Sequence, residues 1–235
     1  MTKIMTVYAV FDRIQNTSLS IDDKCSVSAK AFRMGGSRMF LEREDRVTID
    51  DLLRGIIIQS GNDASVAIAE CLSGTEEDFA LLMNSYANSL GLKNTNFINA
   101  SGWPNDNHYS TVKDIMLVSE ALIRNFPDFY GYFKEREFTY NNIRQLNRNV
   151  LLRRVDGSDG LKTGFTRNSG WGIAASAIRE DRRIIVVING TNSSRSRALE
   201  SETLINWAFR ETTQKTILEK NQIIKEVDVW LGSKP

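Results

Sequence analysis

Histidine is almost absent from this 235-residue chain: His108 is the only one. A Ser-His-Asp enzyme would have this one candidate base, and a zinc site would be starved of ligands. Cysteine is nearly as scarce. Cys25 and Cys71 could pair, but two cysteines do not make a disulfide framework, and both are expected to be free. Net charge is also lacking. Thirty basic against twenty-nine acidic side chains leave +1, which points to neither nucleic acid nor an anionic membrane. No apolar run is long enough to span a bilayer, and there are no repeats or low-complexity linkers. The start, Met1 to Phe11, mimics a signal peptide but lacks a small-residue cleavage site and meets Asp12-Arg13 at once, so a structural helix is expected. What remains is an ordinary globular composition, long enough for one large domain or two small ones.

One stretch organises the rest: Asp156-Gly-Ser-Asp-Gly-Leu-Lys162-Thr163-Gly164-Phe-Thr. Two Asp-Gly pairs give turn chemistry before a strand. The apolar runs Trp171 to Ile178 and Ile184 to Ile188 follow, separated by Arg179-Glu-Asp-Arg-Arg. This pattern predicts a three-stranded antiparallel meander with Lys162 on its first strand. Lys162 and Gly164 would share a face and Thr163 the other, unless the strand twists. Glycine there suits another backbone lying close along the strand, as when an extended peptide adds itself to an edge. Alone, a Lys-Thr-Gly tripeptide carries little weight.

Residues 2 to 14 place Ile4, Val7, Tyr8, Phe11 and Ile14 at helical spacing, predicting one apolar face and no N-terminal cap. Residues 18 to 47 read as loop and short strand. Thr48-Ile-Asp-Asp51 is an acidic capping box opening a helix that breaks at Gln59 to Asp63. Asn62 or Asp63 then caps an apolar helix to Leu72. Thr75 caps another, running to Leu90 with Gly91 as its stop. Ser60-Gly61-Asn62 thus lies between two buried helices, either as a plain joint or as a polar site freed from the helical ladder. Asn94 to Ser110 reads as an ordered loop, Thr111 starts a helix to Arg124, and Ser196 to Arg210 an amphipathic helix with Leu199, Leu204, Ile205 and Trp207. Val227 to Gly232 reads as a last strand. His108 reads as a loop-packing histidine, because no Ser or Asp is patterned around it.

Ser60-Gly61-Asn62 and Lys162-Thr163-Gly164 together match two of three signature elements of penicillin-recognising serine enzymes. Their surroundings, from Asp51 to Glu70, Leu90 to Phe97, His108-Tyr-Ser-Thr and Val155 to Thr166, resemble the D-alanyl-D-alanine carboxypeptidases of peptidase family S11, the low-molecular-mass penicillin-binding proteins. The resemblance runs from the first residue to about Arg210. The third element, Ser-x-x-Lys, departs from the pattern. The family typically reads Ser-Met-Thr-Lys-Ile-Met-Thr, whereas this chain reads Met1-Thr2-Lys3-Ile4-Met5-Thr6. The nucleophile would therefore be the residue before Met1, and Thr2 points elsewhere on the helix.

The resemblance implies an α/β fold of the β-lactamase and transpeptidase type, an antiparallel sheet flanked by helices and missing its N-terminal strands. Residues 1–212 would form the transpeptidase-like domain and 213–235 a linker and the start of a C-terminal β domain. Lys3 would be the base, Ser60 would relay protons to the leaving amine and Asn62 would hold the substrate amide. Lys162 and Thr163 would bind the terminal carboxylate, and Gly164 would belong to the strand that pairs the substrate backbone. Arg197 is placed either as a carboxylate-binding arginine or as a surface residue at a helix start. The implied activity is serine-type removal of terminal D-alanine from peptidoglycan stem peptides in the periplasm or cell envelope. It would use no metal or cofactor, and β-lactams would be ligands. Without the serine, acyl transfer by these 235 residues should fall by several orders of magnitude, leaving a non-catalytic muropeptide or penicillin binder. A class A-like β-lactamase is the other enzyme reading, but no acidic residue for deacylation stands out.

Overall fold

In the computed structural model, residues 1–218 and 221–225 are described. Helix α1 (Lys3–Asn16) starts the chain, with no side-chain cap at Thr2. Short strands β1 (Lys24–Ser26) and β2 (Arg46–Thr48) pair antiparallel around α2 (Ala29–Phe32). Thr48 then opens α3 (Ile49–Arg54), its hydroxyl accepting the Asp51 N–H at 3.1 Å. The helix widens into a π-helical turn over Gly55–Gln59. The Gly55 carbonyl there accepts the N–H groups of both Ser60 and Gly61. A Cβ on Gly55 would sit 2.3 Å from the Met39 sulfur, so only glycine lets Met39 pack here.

Helix α4 (Asn62–Ser73) follows, with Gly61 rather than Asn62 or Asp63 at its cap position. That corrects the expected cap: both polar side chains lie inside the first turn and are spent on tertiary contacts. Thr75 caps α5 (Glu76–Ser89) through the Asp78 N–H, and Thr111 caps α6 (Val112–Asn125) through that of Asp114. Gly91, at φ +72°, ends the α5 region as expected.

The two cysteines are bonded to each other, against the expectation of free thiols. Cys25 on β1 and Cys71 near the end of α4 bring their Cα atoms to 5.4 Å, across 46 residues of sequence. β1 packs on α4, a proximity that no spacing rule encodes.

Strands β3 (Glu137–Tyr140) and β4 (Ile143–Leu146) form a hairpin. Its two-residue turn, Asn141-Asn142, has φ of 47° and 61°. Asparagine tolerates the left-handed backbone that such turns require. The predicted meander is present: β5 (Ser158–Thr166), β6 (Gly170–Arg179) and β7 (Arg182–Thr191) pair antiparallel in the order β5-β6-β7, with Lys162 opposite Ala174. Helix α7 (Ser194–Glu211) closes the described fold. The strand expected at Val227 to Gly232 lies outside the described residues.

Helices α1 and α6 contact the sheet from the main core, which includes Ala174 and Val187. Helix α7 covers a smaller cluster of Leu151, Val155, Ile173, Ala175, Ala177 and Ile205. Along α7 only Ile205 of the four expected apolar contacts is buried, while Leu199, Leu204 and Trp207 are exposed. Helix α1 departs from expectation in the other direction. Every residue from Lys3 to Phe11 is buried, because α4, α5, α6 and β5 all pack on it. Phe11 stacks on Phe129 at 5.1 Å and meets Phe126 edge-on, and Tyr8 packs against Phe126 at 4.9 Å. Burying each such ring contributes about 1.5–3 kcal/mol. Helix α1 is therefore the rigid axle from which Lys3 projects.

Candidate active site

Lys3 enters the cleft from the first turn of α1 and is buried. Its Nζ donates to Asn62 Oδ1 at 2.7 Å and to the Ser101 carbonyl at 2.6 Å. Burial holds this amine down to about 7, and the nearby Arg148 charge adds to the effect. The buried carboxylates Asp63 and Glu76 oppose it. An amine near neutrality can serve as a proton acceptor at physiological pH.

Asn62 is fixed from both sides. Its Nδ2 donates to the Gly35 carbonyl at 2.9 Å, and its backbone N–H to the Ser37 carbonyl at 2.7 Å. The neighbouring Asp63 is fully buried and accepts backbone N–H groups of Met39, Phe40 and Leu41 at 3.0–3.3 Å. Those bonds tie the 34–41 loop against the cleft. Ser60 stands between the π-helical turn and α4 in the left-handed region, φ 66° and ψ 36°. A serine held there costs of order 1 kcal/mol, a pattern concentrated at functional sites. Its hydroxyl faces the cleft without a hydrogen-bond partner among the described residues. The polar break between the two helices thus opens onto the cleft.

The opposite wall is β5. Lys162, Thr163 and Gly164 all line the cleft. Lys162 is 2% exposed, and its single hydrogen bond, to the Thr163 carbonyl, is long at 3.4 Å. Burial pushes its pKa well below that of a free lysine, and the charges of Lys3, Arg148 and Arg197 push the same way. A Cβ on Gly164 would fall 2.8 Å from the Met1 backbone nitrogen. The close backbone that the glycine anticipated is therefore the start of α1. The strand is held behind the site by Asp159, which accepts from Arg183 at 2.9 Å and from the Tyr130 hydroxyl at 3.1 Å. The Gly160 carbonyl also accepts from Asn149 Nδ2 at 2.9 Å.

Arg197 does line the cleft. Its guanidinium lies over the Trp171 ring at 5.4 Å and donates to Ser194 Oγ at 3.1 Å. Sequence reasoning missed Arg148, which also faces the cleft and donates to Ser37 Oγ at 2.7 Å. No motif surrounds it. His108 is a loop-packing residue, as expected. Its Nδ1 accepts the Ile98 N–H at 3.2 Å, which leaves Nε2–H to donate to Thr2 Oγ1 at 2.8 Å. Burial lowers its pKa to about 4, so the ring is neutral at physiological pH.

These walls enclose a cleft of ≈ 970 Å³. Lys3, Arg148, Lys162, Arg167 and Arg197 line it, and no Asp or Glu side chain does so among the described residues. Trp103, Phe165 and Trp171 supply apolar surface at its sides. β5 pairs only with β6 among the described strands, so its other edge is open for an extended ligand. A set of cations with few anionic partners is matched to a carboxylate.

The family model for D-alanyl-D-alanine carboxypeptidase, peptidase S11, matches residues 1–193. The chain is 40% identical over 241 residues to the D-alanyl-D-alanine carboxypeptidase DacC of Escherichia coli (strain K12), covering 100% of this chain and 60% of that protein. Its fold is similar to penicillin binding protein 6B from Escherichia coli, with TM-score 0.89 and 38% identity over 94% of this chain and 72% of the other. It is also similar to penicillin-binding protein D2 from Listeria monocytogenes in its ampicillin-bound form, with TM-score 0.80 and 30% identity over 88% and 85% of the two chains. The chain spans about 60% of the length of the curated relatives it matches first. No helix among the described residues is long and apolar enough to cross a membrane. With the family model matching residues 1–193 and a 40%-identical relative covering the whole chain, this protein belongs to the D-alanyl-D-alanine carboxypeptidase family, S11.

Proposed function

We propose that the protein carrying this sequence is a serine-type D-Ala-D-Ala carboxypeptidase that trims peptidoglycan stem peptides and is acylated by β-lactams. The observation that carries the reading is the cleft's charge: five cationic side chains and no carboxylate, beside an open strand edge. The terminal carboxylate of the peptide is bound by Lys162, Thr163 and Arg197. Its backbone pairs along β5 at Gly164, and Asn62 holds the penultimate amide. The serine that the Ser-x-x-Lys spacing calls for stands one position before Met1. Its hydroxyl attacks the penultimate D-alanine carbonyl while the Lys3 amine accepts the proton. Ser60 passes a proton to the departing amine of the terminal D-alanine, and water then hydrolyses the acyl ester. Residues 1–212 act as the catalytic unit and 213–235 lead into a further domain. The site of action is the periplasm or cell envelope, a location with which the Cys25–Cys71 bond is consistent.

The test is to label the native protein in its source cells with a tagged penicillin, then determine the intact mass and map the adduct. The expected result is one acyl group on the residue preceding Met1. Absence of any adduct, with saturable binding of a D-Ala-D-Ala peptide, would replace the enzyme reading with a binder.

A further inference from the structure

Lys3 is held on one side by Asn62 and on the other by a single backbone oxygen, that of Ser101 in the loop between α5 and α6. That loop is braced from behind, outside the cleft. Glu76, the first residue of α5, is 6% exposed. One of its carboxylate oxygens accepts the Ala100 N–H at 3.1 Å, and the other pairs with Lys30 Nζ at 3.0 Å. The Ala100 carbonyl in turn accepts from Thr6 Oγ1, one turn along α1 from Lys3, at 2.6 Å. Residues 100 and 101 are therefore clamped between a buried carboxylate and the helix that carries Lys3.

We propose that Glu76 is a positioning residue for Lys3, fixing the Ser101 carbonyl that receives its ammonium and supplying negative charge behind it, with Lys30 tempering that charge. The inference rests on reading Lys3 as the base. Around Lys3 stand Asn62 and Asp63 from α4, Glu76 from α5, Lys162 from β5, and Arg148. Of the charged groups among these, only Asp63 and Glu76 favour its charged form. The Asp63 oxygens are already engaged by backbone N–H groups. Glu76 has one such bond and is otherwise paired with the half-exposed Lys30, so its charge is the one that a single surface substitution can alter.

Glu76→Gln and Lys30→Met break the same ion pair, yet they must move Lys3 in opposite directions. Glu76→Gln keeps an oxygen for the Ala100 N–H but removes the anion, so the Lys3 pKa should fall by about half a unit to one unit. Lys30→Met leaves the anion untempered, so it should rise by a smaller amount. The measurement is lysine ¹⁵Nζ NMR against pH, with the Lys3 signal assigned by its loss in Lys3→Met. Lys162, on which Lys3 rather than Glu76 acts, should shift less than Lys3. The pH midpoint of penicillin acylation by the native protein should move with the same signs. A role confined to bracing the loop predicts shifts of one sign or none for both variants, and that result overturns the proposal. Lys30 side chain is 42% exposed, so its variant stays informative even where Glu76→Gln folds poorly. Opposite shifts without any change in acylation would keep the Glu76 assignment and sink the reading of Lys3 as base.

Discussion

The two walls of the cleft each bury a lysine, and they treat it differently. On the helical wall Lys3 has two short acceptors and two carboxylates in its surroundings. On the strand wall Lys162 has one long contact and only cations near it. The first lysine is satisfied in the free protein and is poised to exchange a proton. The second is an amine whose charged form burial and its cationic neighbours disfavour, and an incoming anion would reverse that. On the proposed reading, one wall serves the chemistry and the other the capture of substrate.

The sharpest way to separate them is at Lys3. Lys3→Met should slow acylation of the native protein by about 10²–10⁴-fold, measured with tagged penicillin, while hardly changing affinity for an unreactive D-Ala-D-Ala peptide. Breaking the Cys25–Cys71 bond acts on the helical wall alone. Stability should fall by about 2–4 kcal/mol in denaturant melts, as expected for a closed loop of this length. A loss of less than 1 kcal/mol would show that β1 is held to α4 by packing. Lys162→Met should reverse the usual coupling. Peptide affinity should fall by about 10–100-fold because charged hydrogen bonds are lost. The melting midpoint should nonetheless rise, by an equivalent of about 1–2 kcal/mol, since a buried amine with a single long hydrogen bond is removed. Equal destabilisation in both lysine variants would erase the contrast.

The mildest test uses pH alone. The Lys3 amine titrates at about 7 when folded, below its ordinary 10.5. The unfolded chain therefore binds the extra proton first as pH drops. This group makes folding progressively less favourable from about pH 10.5 to about 7, with no further change below. Acylation should rise with pH through about 7, up to tenfold per unit below that point, and then level off. A profile flat between pH 6 and 8 would remove Lys3 from the proton path.

Much of this contrast could be read from the sequence, but unevenly. The helix starts at Thr48, Thr75 and Thr111 follow from a hydroxyl and an N–H three residues apart, a relation wholly local to the chain. The meander follows from apolar runs and turns. Lys3, Ser60, Asn62, Lys162, Thr163, Gly164 and Arg197 meet in one cleft because family resemblance carried the long-range information that periodicity lacks. Where neither source spoke, the reading failed. The Cys25–Cys71 bond and the Glu76–Ala100 contact depend on elements brought together only by packing. Arg148 sits in a segment with no motif. The Asn141-Asn142 turn was legible and went unread: two asparagines between β-type runs are a hairpin signal.

The open edge of β5 has a consequence for solubility as well as for recognition. An exposed strand edge is a template on which a second copy of the same chain could zip, the first step toward insoluble assemblies. Here a second copy would bring Lys162, Arg148 and Arg197 against their own duplicates, doubling a cluster that is already short of anions. A peptide ending in a carboxylate meets the reverse situation. The charge that would admit the ligand is the same charge that would oppose pairing with a second copy.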